Sequence, residues 1–580
     1  MIENKNCKKC WISFTFTDED LEFYNKISPT FNWIRYNIAS PTLCHECRQQ
    51  RRLTWINQRK LYRGICASSG KPILSLYSPD SGYKVYDHKI WRSDQWDALD
   101  FGQVFDFSKS FFEQFDNLQK NTPHPNLFII NSENSDFNNS IVDCKNCYMC
   151  FGNNELEDAY YVSDSMKTTD SSDIWWSGNV ENSYECSSCG NMYKCFYCYE
   201  SGGCSNSIFL QNCEWCQDCI MCFGLQNAKY HIKNIKYSPE EYEIKKQELN
   251  LWNYNNLQEK IEEFQQFLLE KPHNHTTIVN SENSNWGYIF DSKNCKNCFS
   301  VTEVTDSKNL YEWWRVTNVQ DSTFVYDNEW LMLECNGVFG NSFNVIFSEH
   351  VYWGSRNIIY SSNIYSCQDC FWCVWIRSKQ HCIFNKQYSK DKYEQLVPKI
   401  IEHMKKTWEW GEFFPVAISR FAYNETPAQE YYPLERKENR QDEAISLIED
   451  NWFKYKWLNK DYPVNIPPSM PTISANELMV NISDLSEEYT KQLLNSAILC
   501  IETNKPFRFT KSELEFYIKY NIALPRKSPE ARHTERMSLR NPRKLFDREC
   551  DKCGVEMKST FSLDRKETVY CQDCYTKEIY

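Results

Sequence analysis

Eight cysteines stand in four Cys-x-x-Cys pairs near the two ends of the chain, the clearest chemistry in the sequence. Cys7 and Cys10 (CKKC) are followed by Cys44 and Cys47 (CHEC), and Cys550 and Cys553 (CDKC) by Cys571 and Cys574 (CQDC). A Cys-x-x-Cys turn presents two thiolates on one tight knuckle, and two such turns complete the tetrahedral set that zinc takes. With all four positions filled by protein, no place remains for water or substrate, so two structural zinc sites are expected rather than a catalytic one.

Two runs of arginine accompany these sites. Arg48, Arg51 and Arg52 follow Cys47, and Arg532, Arg536, Arg540 and Arg543 precede Cys550. On a helix the second set falls on one face, at steps of four, four and three. Guanidinium groups suit phosphate, so contact with nucleic acid is expected at the basic ends if these faces are free. The competing reading is a solvated face, or pairing with nearby acids such as Glu530, Glu535 and Asp547. Charge patterning bears on this. The net charge is −13, yet residues 1–66 carry 11 Lys/Arg against 6 Asp/Glu, and residues 500–550 carry 12 against 7. Basic ends flank an acidic middle that would repel a polyanion.

Most of the remaining cysteines lie in the middle, as in CKNCYMC from Cys144, CEWCQDCIMC from Cys213 and CQDCFWC from Cys367. An iron–sulfur cluster uses such runs, but Cys186, Cys189 and Cys198 have no cysteine opposite them in the second half. Small inward-packing side chains account for these cysteines better, with additional zinc as the alternative. The sequence has no GxSxG, no HExxH and no Gly-rich phosphate loop, no paired-carboxylate constellation repeats in both halves, and the 10 histidines do not cluster with bases. The chain is therefore read as non-catalytic. A β-helix enzyme acting on polysaccharide is kept as an alternative, on fold analogy alone.

Two internal duplications position these residues. FTFTDEDLEFYNK from Phe14 matches FRFTKSELEFYIK from Phe507, and each copy holds a helix start at Thr17 or Thr510 with an acid three residues on. Within this match Cys7 corresponds to Cys500, while Cys10, Cys44 and Cys47 correspond to Thr503, Ser528 and Ala531. Cys66 corresponds to Cys550. Each end has room for two sites and keeps a different one, which makes Cys66 and Cys500 ordinary buried thiols. The second duplication fills the middle, where INSENSDFNNSIVDCKNC from Ile130 resembles VNSENSNWGYIFDSKNC from Val279. Its expected offset is a constant 151 residues, from Cys144/Cys295 through Cys222/Cys373 to Tyr237/Tyr388. Inside each half β-formers recur at steps of roughly 10–14 between Asn, Ser, Asp and Cys, the pattern of a stacked parallel β-solenoid. Exposed Trp and Tyr on such a surface would suit protein or carbohydrate partners.

Over residues 7–52, the order CxxC, an aromatic EFYxK helix, then PxxCxxCR resembles a short bacterial family described as a probable zinc ribbon. The resemblance implies zinc binding and no activity.

The expected architecture is multidomain α+β, with treble-clef or zinc-ribbon modules at both ends flanking two tandem parallel β-solenoid-like repeats with helical spacers. Its segments are an N-terminal zinc module (1–100), a first solenoid (101–238), a helical spacer (239–269), a second solenoid (270–389), a helical and Pro-rich linker (390–499) and a C-terminal zinc module (500–580). No apolar run is long enough to span a membrane, and the start lacks a secretory h-region, so a cytoplasmic protein with an unidentified macromolecular partner is expected.

Overall fold

The computed structural model describes residues 3–435, 444–450, 453–460, 462 and 466–579. The Pro-rich stretch at 462–474 lies partly outside the described residues. The fold is mixed α+β, dominated by two large, mostly parallel sheets. Among the described residues no helix is long and apolar enough to cross a membrane.

Both sheets are built from a three-residue unit. From Ser140 to Lys233 nearly every third residue has positive φ, in a series that includes Asp143, Asn146, Met149, Gly152 and Glu155. Asn, Asp and Gly tolerate this left-handed region, and they occupy many of these positions. The residue after each of them points inward: Cys144, Cys147, Cys150, Leu156, Ala159 and Val162 are each 2% exposed or less. Four such units make one 12-residue rung. The strands pair in parallel at that spacing, as in Asn139↔Phe151, Leu156↔Thr168 and Cys186↔Cys198. Side-chain ladders run at the same spacing, Asn134 to Asn146 at 3.0 Å and Asn146 to Asp158 at 2.9 Å.

This register revises the expected constant offset between the halves. From Ile141 the offset is 148, which sets IVDCKNCYMC on IFDSKNCKNC and Cys147, not Cys144, on Cys295. Three successive rungs of the second stack then pair at 13 residues: Thr323↔Asn336, Asn336↔Glu349 and Glu349↔Ser362. Three inserted residues carry the offset from 148 to the 151 that holds at Cys216/Cys367.

Cysteine and serine are interchangeable at the inward positions. Ser183 Oγ donates to the Glu181 carbonyl at 2.9 Å, and Cys195 Sγ donates to the Tyr193 and Cys204 carbonyls at 3.5 and 3.4 Å. The thiols thus act as small, weakly hydrogen-bonding core residues. Cys195→Ser is expected to change stability by about 1 kcal/mol or less, whereas Cys195→Phe should cost about 1–3 kcal/mol by overpacking. Urea denaturation of the two variants would check this, and equal losses would refute the packing role.

The six consecutive segments gather into two compact units, each joining one end of the chain to the more distant stack. One unit comprises Met1–Leu127 with Thr276–Asp461, the other Phe128–His275 with Tyr462–Tyr580. In the first, Leu53 and Ile56 pack with Phe324, Val416, Tyr423 and Tyr455. In the second, Leu514, Phe516, Tyr517 and Ala531 pack with Tyr184, Ile498 and Cys500. Expected helices form at Pro239–Glu248, Tyr254–Leu269 and Lys390–Lys406, and the region after 406 adds the hairpin Ile445–Asp450 and Phe453–Leu458. Both helix starts read from the duplicated ends are capping boxes. Asp20 N–H donates to Thr17 Oγ1 at 3.2 Å and Glu513 N–H to Thr510 Oγ1 at 3.1 Å.

Candidate metal centres

Four knuckles of one design occur at the chain ends, led by Cys7, Cys66, Cys500 and Cys550. Each sits at the tip of an antiparallel hairpin. In each the cysteine N–H donates to the carbonyl five residues on, at 3.0, 2.8, 3.1 and 2.9 Å. The residue four on, Trp11, Gly70, Asn504 or Gly554, has positive φ and donates back to the cysteine carbonyl. Each knuckle faces the start of a helix: His45–Leu53, His88–Arg92, Pro529–Leu539 and Gln572–Ile579.

Two of the four carry a full ligand set. Cys7, Cys10, Cys44 and Cys47 form one group, and Cys550, Cys553, Cys571 and Cys574 the other. Within each group the four sulfurs all lie within 4.8 Å of one another, a spacing that one metal ion spans. Among the described residues these are the two groups able to hold a metal, and the stack cysteines contribute none. The first group is largely buried, and the second is exposed at Cys553. In the first, hydrogen bonds from the thiols of Cys44 and Cys47 hold Cys7 far below the ordinary thiol range. In the second, burial opposes ionisation of Cys550, but the N–H groups of Cys571, Cys553 and Lys552 bring it down to about 6. The neighbouring thiols and burial push Cys44, Cys47 and Cys574 the other way. Each group therefore favours one thiolate, and binding a metal would have to release the remaining thiol protons.

The other two knuckles keep the backbone and lose the ligands. Ser69 and Asp87 donate their N–H groups to Cys66 Sγ at 3.4 and 3.3 Å, and Ser528 donates to Cys500 Sγ at 3.2 Å. The Ser528 contact has its counterpart in the second metal group, where Cys571 N–H meets Cys550 Sγ at 3.2 Å. Cys66 and Cys500 are buried free thiols, as expected, and their sulfurs accept N–H bonds from the backbone around them. Burial raises Cys500, yet the Thr503 hydroxyl and the surrounding N–H groups bring it to about 7.

The arginines lie inside, not on a free face. Arg48 meets Asp321 at 2.8 Å, Arg51 meets Glu334 at 2.9 Å and Glu412 at 2.8 Å, and Arg52 approaches Glu334 at 3.6 Å. In the other unit Arg532 meets Asp173 at 3.0 Å, while Arg536 meets Asp173 at 2.9 Å and Glu185 at 2.8 Å. Arg543 is buried, and Arg540 is half-buried over the Trp175 ring at 5.3 Å. Five of the seven therefore pair with acids of the stacks, not with Glu530, Glu535 or Asp547. The two units repeat one docking device: arginines on a helix meet two acids one rung apart. Asp173, Glu185, Asp321 and Glu334 were invisible as partners in the sequence. Their signal is an acid recurring after 12 or 13 residues at a positive-φ position.

Glu513, behind this device, accepts from the Tyr161 and Tyr517 hydroxyls at 2.9 and 3.0 Å. Burial pushes it up to about 7 from an ordinary value of 4.5, against the pull of Arg532. The folded state therefore holds an extra proton between pH 4.5 and 7, and stability falls as pH rises through that window. The difference is worth about 3 kcal/mol. The unfolding midpoint of this unit is expected to rise as pH drops from about 7.5 to about 5.5, and Glu513→Gln to flatten that slope. A slope unchanged in the variant would refute the assignment.

Compared with known proteins, the chain matches no family model and no curated protein, so the zinc-ribbon resemblance over residues 7–52 rests on its motif and on the geometry of the four-cysteine group.

Proposed function

We propose that the chain is a non-catalytic, zinc-binding scaffold in which each terminal module clamps one β-solenoid. The observation that carries this reading is the pair of four-cysteine groups. Tetrahedral zinc–thiolate bonds of about 2.3 Å set sulfurs about 3.8 Å apart. Cys10–Cys44 at 3.6 Å and Cys553–Cys571 at 3.8 Å meet that spacing. With four protein sulfurs at each site, the zinc is structural. The solenoid reading is supported by the 12-residue parallel register and the inward residue every third position. None of the 29 cysteines is disulfide-bonded, in keeping with a reducing compartment.

The internal pairing of Arg48, Arg51, Arg52, Arg532 and Arg536 favours scaffolding over nucleic-acid contact at the ends, since such contact would have to break buried ion pairs. A partner of the second stack, protein or carbohydrate, is the next reading. Most described aromatics of the second stack are buried, but Trp330 and Trp353 remain 55% and 46% exposed. Elemental analysis of the purified chain is the test. About two zinc and no iron per polypeptide is expected, and stoichiometric iron or substantially more zinc would overturn the reading.

A further inference from the structure

The duplicated units differ at one place in a way that their shared fold does not require. In the unit with the N-terminal metal group, the strand Ser13–Phe16, the helix Asp18–Ile27 and the rungs facing them line a cavity of ≈ 450 Å³. That is within the range of small-molecule sites. Ser13, Thr15 and Asn285 are exposed at its rim, and Asp20, Tyr24, Arg48 and Asp321 are buried in its lining. The rungs contribute Lys296, Asn297, Lys308 and Asn309. At the 148-residue offset the other unit carries Tyr148, Met149, Tyr160 and Tyr161 in their place. There the rings pack, Tyr148 on Tyr161 at 6.0 Å and Tyr160 on Phe516 at 6.4 Å. One copy fills this position with aromatic side chains; the other lines it with amides and ammonium groups.

The lining is rich in donors. Lys308 pairs with Asp20 at 2.7 Å, Arg48 with Asp321 at 2.8 Å, and Lys296 with Glu19, which lies outside the cavity, at 2.7 Å. Three cations line the cavity, each paired with one carboxylate, so the lining offers hydrogen-bond donors without a net positive charge. Arg48 is 4% exposed, and its Nη1 is buried without a hydrogen-bond partner. A buried polar group left in this state is unfavourable, and guanidinium is built to answer an oxyanion.

We propose that this cavity binds a small oxyanion, a phosphate monoester or a carboxylate, with Arg48, Lys296 and Lys308 of its lining as the donors. Calorimetric titration of the full, metal-loaded chain with inorganic phosphate, phenyl phosphate and succinate tests it. The expected result is saturable binding of at least one probe at one site per chain, weakening as salt is added. Comparing phosphate with succinate separates the two sources. Asn309→Tyr, which installs the ring that the other unit carries, should weaken binding at least tenfold. Lys296→Met, at a half-buried position, should weaken it at least threefold and keeps the test open if the added ring unsettles the unit. No saturable binding of any probe at millimolar concentration would overturn the proposal. So would affinity unchanged in Lys296→Met, or in a folded Asn309→Tyr.

Discussion

Arg532→Ala is expected to lower the stability of the unit comprising Phe128–His275 and Tyr462–Tyr580 by about 3–5 kcal/mol. Asp173 is fully buried and depends on Arg532 and Arg536 for its charge. Burial alone would raise its carboxyl, and the two guanidinium groups hold it below the ordinary range. Arg532 makes two contacts to it, Nε to Oδ1 at 3.1 Å and Nη2 to Oδ2 at 3.0 Å, and a third to the Lys527 carbonyl at 3.0 Å. Removing it leaves a charge in the interior with half its neutralisation. The same step frees the Glu513 carboxyl from its nearest cation, so that residue should titrate still higher.

Urea denaturation, followed by Trp fluorescence, reads the loss. Arg532→Lys should recover only part of it, because an ammonium group cannot make the forked contact to Asp173. Asp173→Asn combined with Arg532→Ala should cost less than Arg532→Ala alone, since no charge is then stranded. A loss under about 1 kcal/mol for Arg532→Ala would place the pair in the class of exposed salt bridges and refute its role in docking.

How far the sequence reached follows from which interactions are local. The Cys-x-x-Cys knuckles, the Thr17 and Thr510 capping boxes and the helices after 239 and 390 depend on residues a few positions apart, and all were legible. The three-residue unit was present in the spacing of Cys144, Cys147 and Cys150, and of Cys213, Cys216, Cys219 and Cys222. The period of roughly 10–14 read from the β-formers hid it, because aromatics such as Tyr148, Tyr160, Tyr184 and Phe196 stand one place after an inward residue and recur every rung or two. The inward positions themselves hold mostly thiol, hydroxyl or aliphatic side chains. The arginine stripe was legible as a stripe, but its partners were not: Arg48 and Asp321 are 273 positions apart. Nor could the sequence say that each end belongs with the farther stack, since local patterning carries no information on which apolar face covers which. The contrast between the cavity beside Arg48 and the aromatic packing of the other unit emerges only when the units are matched at the 148-residue offset of the early rungs, which the constant 151 read from the sequence concealed.

Cys47→Ser is expected to reduce bound metal from two ions to one and to cost several kcal/mol, more than Cys574→Ser does. Zinc contributes about 10–16 kcal/mol to the folding of small zinc modules, and a three-thiolate site retains only part of that. The asymmetry between the ends follows from what each site supports. Cys44 caps, and Cys47 lies within, the helix His45–Leu53, whose arginines reach Asp321 and Glu334, so the first site fixes the docking helix itself. The helix of the second docking device, Pro529–Leu539, instead starts at Ser528 beside Cys500, a knuckle without a ligand set, and is held by its own cap. The C-terminal group of four cysteines orders the hairpin Phe546–Glu549 with Glu556–Ser559 and the final helix Gln572–Ile579, no residue of which is buried. A strong chelator should accordingly strip the partly exposed C-terminal site quickly, with little change in the unfolding midpoint of the rest of its unit. The buried N-terminal site should release metal only as fast as its unit opens. Release followed with a chromogenic zinc indicator, alongside thermal denaturation of the two variants, separates the phases. A single fast phase releasing both ions, or equal destabilisation by Cys47→Ser and Cys574→Ser, would show that the N-terminal metal does not hold the arginine helix in place.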